Sequence, residues 1–109
     1  MAGTLAWGEI RLVDFGRPDK TRPALILTRT SALGFLRTVT VAPITKTIRD
    51  IPTELRLSET EGMKTPCVAK LDAVQTISKE RIGRYVGSID RKHKSMIREA
   101  LLFALELDE

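Results

Sequence analysis

Two short basic stretches carry the side chains best suited to chemistry. Arg17, Lys20 and Arg22 crowd one of them, and Thr45, Lys46, Thr47 and Arg49 form the other. Guanidinium and ammonium groups with hydroxyls beside them hold phosphate oxygens and stabilise charge that builds on them in a transition state. Arg22 precedes Pro23, whose ring fixes its own φ and biases the preceding residue towards extended backbone, so the guanidinium starts from a stiff base. The same residues also fit a plainer description, a pair of solvated loops.

Other chemistries lack their parts. The one histidine, His93, stands beside Arg91, Lys92 and Lys94 and reads as a solvated residue on a polar helix face. A histidine pair for acid–base cleavage is therefore not available within one chain. No His-x-x-Glu-His, Cys-x-x-Cys or acidic loop of ion-binding spacing occurs, so neither a metal nor any other cofactor is expected. No glycine-rich nucleotide fingerprint occurs either. The lone cysteine, Cys67, lies between Pro66 and Val68 and reads as a small core residue, not a nucleophile.

The 109 residues make one domain's worth of chain, residues 1–109, with 42% hydrophobic and 29% charged residues. Eighteen Lys and Arg against fourteen Asp and Glu give a net charge of +4, which favours a polyanionic partner at encounter. Only five side chains are aromatic, so base stacking is not the main means of recognition. A single thiol, no signal-like opening and no apolar run of membrane-spanning length point to a cytoplasmic protein without a membrane partner.

The elements that must position the two basic stretches are short strands. Glu9 to Phe15 alternates with Ile10 and Leu12 on one face. Thr21 to Thr28 is an apolar run that Pro23 opens as a strand, and Thr38 to Ile44 alternates β-branched residues until Pro43 ends or bulges it. Met1 to Ala6 carries nothing regular, and the segment from Thr28 to Phe35 holds at most a helical turn. Pro52 to Leu57 forms a half-exposed fourth strand, and a polar turn around Gly62 follows. Pro66 to Ile77 makes a fifth, interrupted near Asp72, and Ser78 caps a single helical turn. Tyr85 to Gly87 reads as a short return strand. Asp90 then caps a helix whose stripe is Ile97, Ala100, Leu101, Ala104 and Leu105, with Met96, Phe103 and Leu107 off it. Strands first, one helix last and tight connections predict a small, strongly bent antiparallel sheet or partly open barrel with helical caps. If the second and third strands are antiparallel neighbours, Arg22 and Thr45 meet at one rim.

The order Gly8-Glu9-Ile10-Arg11-Leu12-Val13-Asp14-Phe15, then Arg22-Pro23-Ala24-Leu25-Ile26-Leu27, then Val41-Ala42-Pro43-Ile44-Thr45, resembles the MazF/PemK/Kid family of toxin endoribonucleases. Leu71 to Ile77 is similar to the family's Asp-Gln-Ile-Arg-Thr strand, and Arg81-Ile82 through Ile89 to the segment before its terminal helix. The likeness runs from Gly8 to Leu107. It implies a mainly β fold with α caps, an SH3-like small barrel of twisted antiparallel strands with a C-terminal helix. It further implies a homodimer that cleaves single-stranded RNA sequence-specifically and without metal, the ribose 2′-OH attacking the adjacent phosphate. A cognate acidic antitoxin is the implied inhibitor. The family's catalytic arginine and threonine fall on Arg22 and Thr45, and Arg17, Lys20, Lys46, Thr47 and Arg49 become RNA contacts along the groove rims. The alternative is a basic barrel that binds RNA or a protein without cleaving anything. Arginine stays protonated, so Arg22 suits charge stabilisation better than proton removal. A water, an arginine in a crowded cationic site, or Asp14 would then serve as base. The first loop, Gly16 to Thr21, is shorter than in many members, with only Asp19 as an acidic match, which bears on base specificity and on closure by the antitoxin.

Overall fold

The computed structural model describes residues 4–18 and 20–108 of the chain. Asp19, the acidic match in the first loop, lies outside them. Strand β1 (Glu9–Asp14) buries Ile10 on one face and Val13 on the other, and β2 (Thr21–Ile26) turns back antiparallel beside it. After the single turn α1 (Thr30–Leu33), β3 (Thr38–Thr45) returns along β2. The remaining strands are β4 (Glu54–Leu57), β5 (Cys67–Lys70), β6 (Gln75–Ser78) and β7 (Ile82–Ser88). Among the described residues all pairings are antiparallel, in the order β4-β5-β3-β2-β1-β7, with β6 also on β3.

Strand β3 is the hinge of this curl. Its first half pairs with β6 and its last two residues with β5, both on the edge away from β2. Pro43 neither ends nor bulges it, contrary to the sequence expectation. It falls between those two ladders, where the amide proton it lacks has no acceptor waiting. Pro23 likewise lies inside β2 and not at its start. The long fifth strand is two strands, β5 and β6, separated by a turn at Leu71 to Val74 that contains Asp72. The return strand is longer than Tyr85 to Gly87, because Ile82 and Tyr85 pair with β1.

Both sheet faces are covered. On one, Ile10, Leu25, Ala42, Ile44, Leu55 and Ala69 pack with Ile97 and Ala100 of α2 (Lys94–Ala104). On the other, Val13, Ala24, Ile26, Val39, Val41 and Ile82 pack with Leu33 and with Leu5. Leu5 belongs to a segment that carries no regular pattern, and it is buried because it lies over this second face.

Asp90 caps as expected, accepting from the Lys92 amide at 3.0 Å, but it opens a 3₁₀ turn, Arg91–His93, that runs into α2. That tighter turn carries His93 inward, off the polar face on which an α-helical period places it. His93 is 7% exposed, with Nε2 3.5 Å from Glu61 Oε2 and Nδ1 3.2 Å from Asp90 Oδ1. Glu61 is equally buried, and its carboxylate also accepts from the Ser58 amide at 2.7 Å. Leu105, expected on the buried stripe, is 58% exposed because α2 ends at Ala104. Met96, Phe103 and Leu107 are exposed, as their places off the stripe require.

Candidate functional site

Strands β2 and β3 bring the two leading residues together. The β2–β3 register runs from Ile26↔Val41 to Ala24↔Pro43. Pro23 has no amide proton with which to continue the ladder, and two residues further the same register sets Arg22 abreast of Thr45. Both strands still have partners at this level, since Arg22 pairs with Val13 of β1 and Thr45 with Val68 of β5. Cross-strand partners share a face, so the row Arg56, Val68, Thr45, Arg22, Val13 lies on one side of the sheet. Arg22 and Thr45 are half-buried within it, and Arg56 is exposed. A planar cation and a hydroxyl at adjoining positions, rooted in paired backbone, can grip two oxygens of one phosphate.

The other cations surround this pair unevenly. Arg17 and Lys20 are exposed on the loop from β1 to β2 that leads into Arg22. Lys46 and Thr47 leave β3 directly after Thr45, and the Thr47 amide donates to Thr45 Oγ1 at 3.2 Å, which fixes one side of that hydroxyl. Arg49 stands apart, further along the loop to β4. Its amide and that of Asp50 donate to the Glu54 carboxylate at 3.1 and 2.8 Å, so Glu54 holds this loop in shape.

Two further cations emerge only from the structure. Arg56 shares the face of Thr45 and pairs with Asp50 at 3.2 Å, and only the β4–β5 register shows this. Arg81 reaches the first loop, where Nη1 donates to the Asp14 carbonyl at 3.2 Å. Asp14 itself accepts from the Gly16 amide at 2.9 Å. By strand alternation its side chain lies on the opposite face from Val13 and Arg22, which removes it as the base beside Arg22.

Cys67 is buried at the head of β5, and burial pushes its thiol up from 9.0, helped by the Glu61 carboxylate and opposed by the Lys46 ammonium. It is a core residue, as its apolar neighbours in the sequence suggest. Among the described residues no three histidine, cysteine or carboxylate side chains lie together as a metal site requires.

Residues 6–105 match the model of the PemK-like, MazF-like toxins of type II toxin-antitoxin systems. The chain belongs to that family. It is 37% identical over 99 residues to endoribonuclease MazF3 of Mycobacterium tuberculosis strain CDC 1551, covering 91% of this chain and 96% of that one. Among solved structures it is similar to the Mycobacterium tuberculosis toxin MazF-mt6, with a TM-score of 0.86 at 37% identity over 93% of this chain and 99% of that one. It is also similar to a mycobacterial endoribonuclease solved in complex with its cognate antitoxin, with a TM-score of 0.84 at 26% identity over 96% and 98% of the two chains. The family fold, a curled, mainly β antiparallel sheet with a C-terminal helix, is the one described above.

Proposed function

We propose that this chain is a toxin endoribonuclease that cuts single-stranded RNA without a metal ion. The observation that carries the reading is the register that sets Arg22 abreast of Thr45 on one face. The ribose 2′-oxygen attacks the adjacent phosphorus, its proton passes to a base, the bond from phosphorus to the 5′-oxygen breaks, and that oxygen takes up a proton. The products are a 2′,3′-cyclic phosphate and a 5′-hydroxyl. Arg22 and the Thr45 hydroxyl hold the non-bridging oxygens, where negative charge grows in the pentacovalent state. Arg17, Lys20, Lys46, Thr47 and Arg49 seat the flanking phosphates. With Asp14 on the far face, the base is a water or a second arginine. Family membership supports an antitoxin as inhibitor, and the basic rim favours one with an acidic, extended segment. The working unit is a two-fold homodimer, for which the exposed Met96, Phe103 and Leu107 supply apolar surface.

Cleavage of a mixed-sequence RNA in excess chelator tests this. The parental chain is expected to cut, and Arg22→Ala and Thr45→Ala to lose about 10²- to 10³-fold in rate with unchanged circular dichroism. A requirement for added magnesium, or parental rates in Arg22→Ala, would overturn it. Binding with no cleavage by any chain would leave the non-catalytic barrel.

A further inference from the structure

Towards the end of β1 away from Arg22, a concave site collects the chain's only tryptophan and three cations. Trp7, Arg29, Arg91 and Lys94 line it, with the Thr30 and Ser31 hydroxyls and Asp90 at its edge. Its walls are the residues just before β1, the stretch after β2, and the first turns of the terminal helix, so it lies a strand's length, about 17 Å, from the Arg22 end of β1.

Each wall is held in place by the fold. The Trp7 amide donates to Thr30 Oγ1 at 2.9 Å, the Gly8 amide to Ile26 O at 2.9 Å, and the Ile89 amide to Gly8 O at 2.9 Å. Trp7 is half-buried, packed by one side on the core, and Lys94 Nζ sits 5.1 Å from its ring centroid.

The charges have no internal reason to be there. The side chains of Arg29 and Arg91 make no hydrogen bond or ion pair with any described residue. Asp90, the carboxylate in its lining, is engaged by the Lys92 amide, by Lys92 Nζ at 3.9 Å and by His93. Arg91, Lys92 and Lys94 stand at the positive end of a helix with no acidic residue in its first turn, an arrangement that the helix dipole disfavours. Unpaired cations at an unfavourable position beside a flat aromatic ring suit a ligand that is both anionic and flat.

We propose that this is a second RNA-holding site, which takes a nucleotide flanking the scissile bond. Its base stacks on Trp7 in place of the Lys94 ammonium, and its phosphates meet Arg29 and Arg91. The proposal rests on RNA being the substrate and makes long substrates bind more tightly than short ones.

Trp7 is its own reporter. In the Arg22→Ala chain, whose RNA stays intact, titration with a mixed-sequence single-stranded RNA is expected to quench tryptophan emission to saturation. Adding Arg29→Ala and Arg91→Ala should flatten the slope of log affinity against log salt by about 1.4, at about 0.7 for each phosphate of a single strand that is no longer neutralised. RNA that binds by anisotropy yet leaves Trp7 emission unmoved would overturn the proposal, as would an unchanged salt slope in the Arg29, Arg91 variant. Quenching by polyglutamate and not by RNA would assign the site to a protein partner instead. Parental cleavage is measured alongside. Quenching without cleavage sinks the nuclease reading and keeps Trp7, Arg29 and Arg91 as an RNA-holding site with no scissile bond beside it, whereas cleavage without quenching keeps the nuclease and overturns this site.

Discussion

At the scale of single residues, the chain's two chemically adaptable side chains are both committed to structure. Cys67 holds its proton because a thiolate would be desolvated in the core. The folded value lies above 9.0, so the folded chain keeps this proton to higher pH than the unfolded chain does. With respect to this thiol, stability is level below pH 9.0 and falls as pH rises beyond it. Urea midpoints on either side of that pH should therefore decline in the parent and decline less in Cys67→Ala. His93 ties the last helix to the buried Glu61. His93→Ala leaves that carboxylate short of a partner and is expected to cost about 1–3 kcal/mol in urea unfolding, with RNA cleavage unchanged at temperatures where the variant is folded. The place of His93 is not legible in the sequence. A histidine in a run of cations carries the signature of a solvated face, and the turn that buries it is 3₁₀, a period that apolar spacing does not reveal.

At the scale of elements, the strands that carry Arg22 and Thr45 are readable because β-branched and apolar runs announce them. Their bounds are less so, because a proline in such a run has the look of a strand end. A proline ends a strand only where its missing proton is wanted, and that depends on which neighbour lies alongside, a property of topology and not of local sequence. Arg56 is hidden for the same reason. The turn holding Glu61 fits against β7 so closely that a Cβ on Gly87 would lie 1.9 Å from the Glu61 carbonyl oxygen, and one on Gly62 2.9 Å from that of Val86. Gly87→Ala must push these backbones apart. It is expected to cost about 3 kcal/mol or more, read as a lowered thermal midpoint, whereas Gly34→Ala, which meets nothing within 4 Å, should change it little.

At the scale of the whole molecule, the sheet faces are covered while α2 and the residues after it leave Met96, Phe103 and Leu107 exposed, the edge through which the proposed dimer would form. Sedimentation should return a dimer at micromolar concentration, and Met96→Lys with Phe103→Lys should return a folded monomer. A parental monomer would return that edge to the solvent and require the RNA groove to be built from one chain. With a net charge of +4, the proposed encounters with RNA and with an acidic antitoxin are expected to weaken as salt rises. The pairing of β1 with β7 has a consequence in time. Arg22 and Thr45 both lie in the first half of the chain, on strands that can pair early, but β1 is clamped on its other edge only when Ile82 and Tyr85 arrive from the last third. Such distant closures come late in folding. On the proposed function, a chain still emerging from the ribosome would hold Arg22 and Thr45 without the frame that aligns them, and would become active only when synthesis is nearly finished.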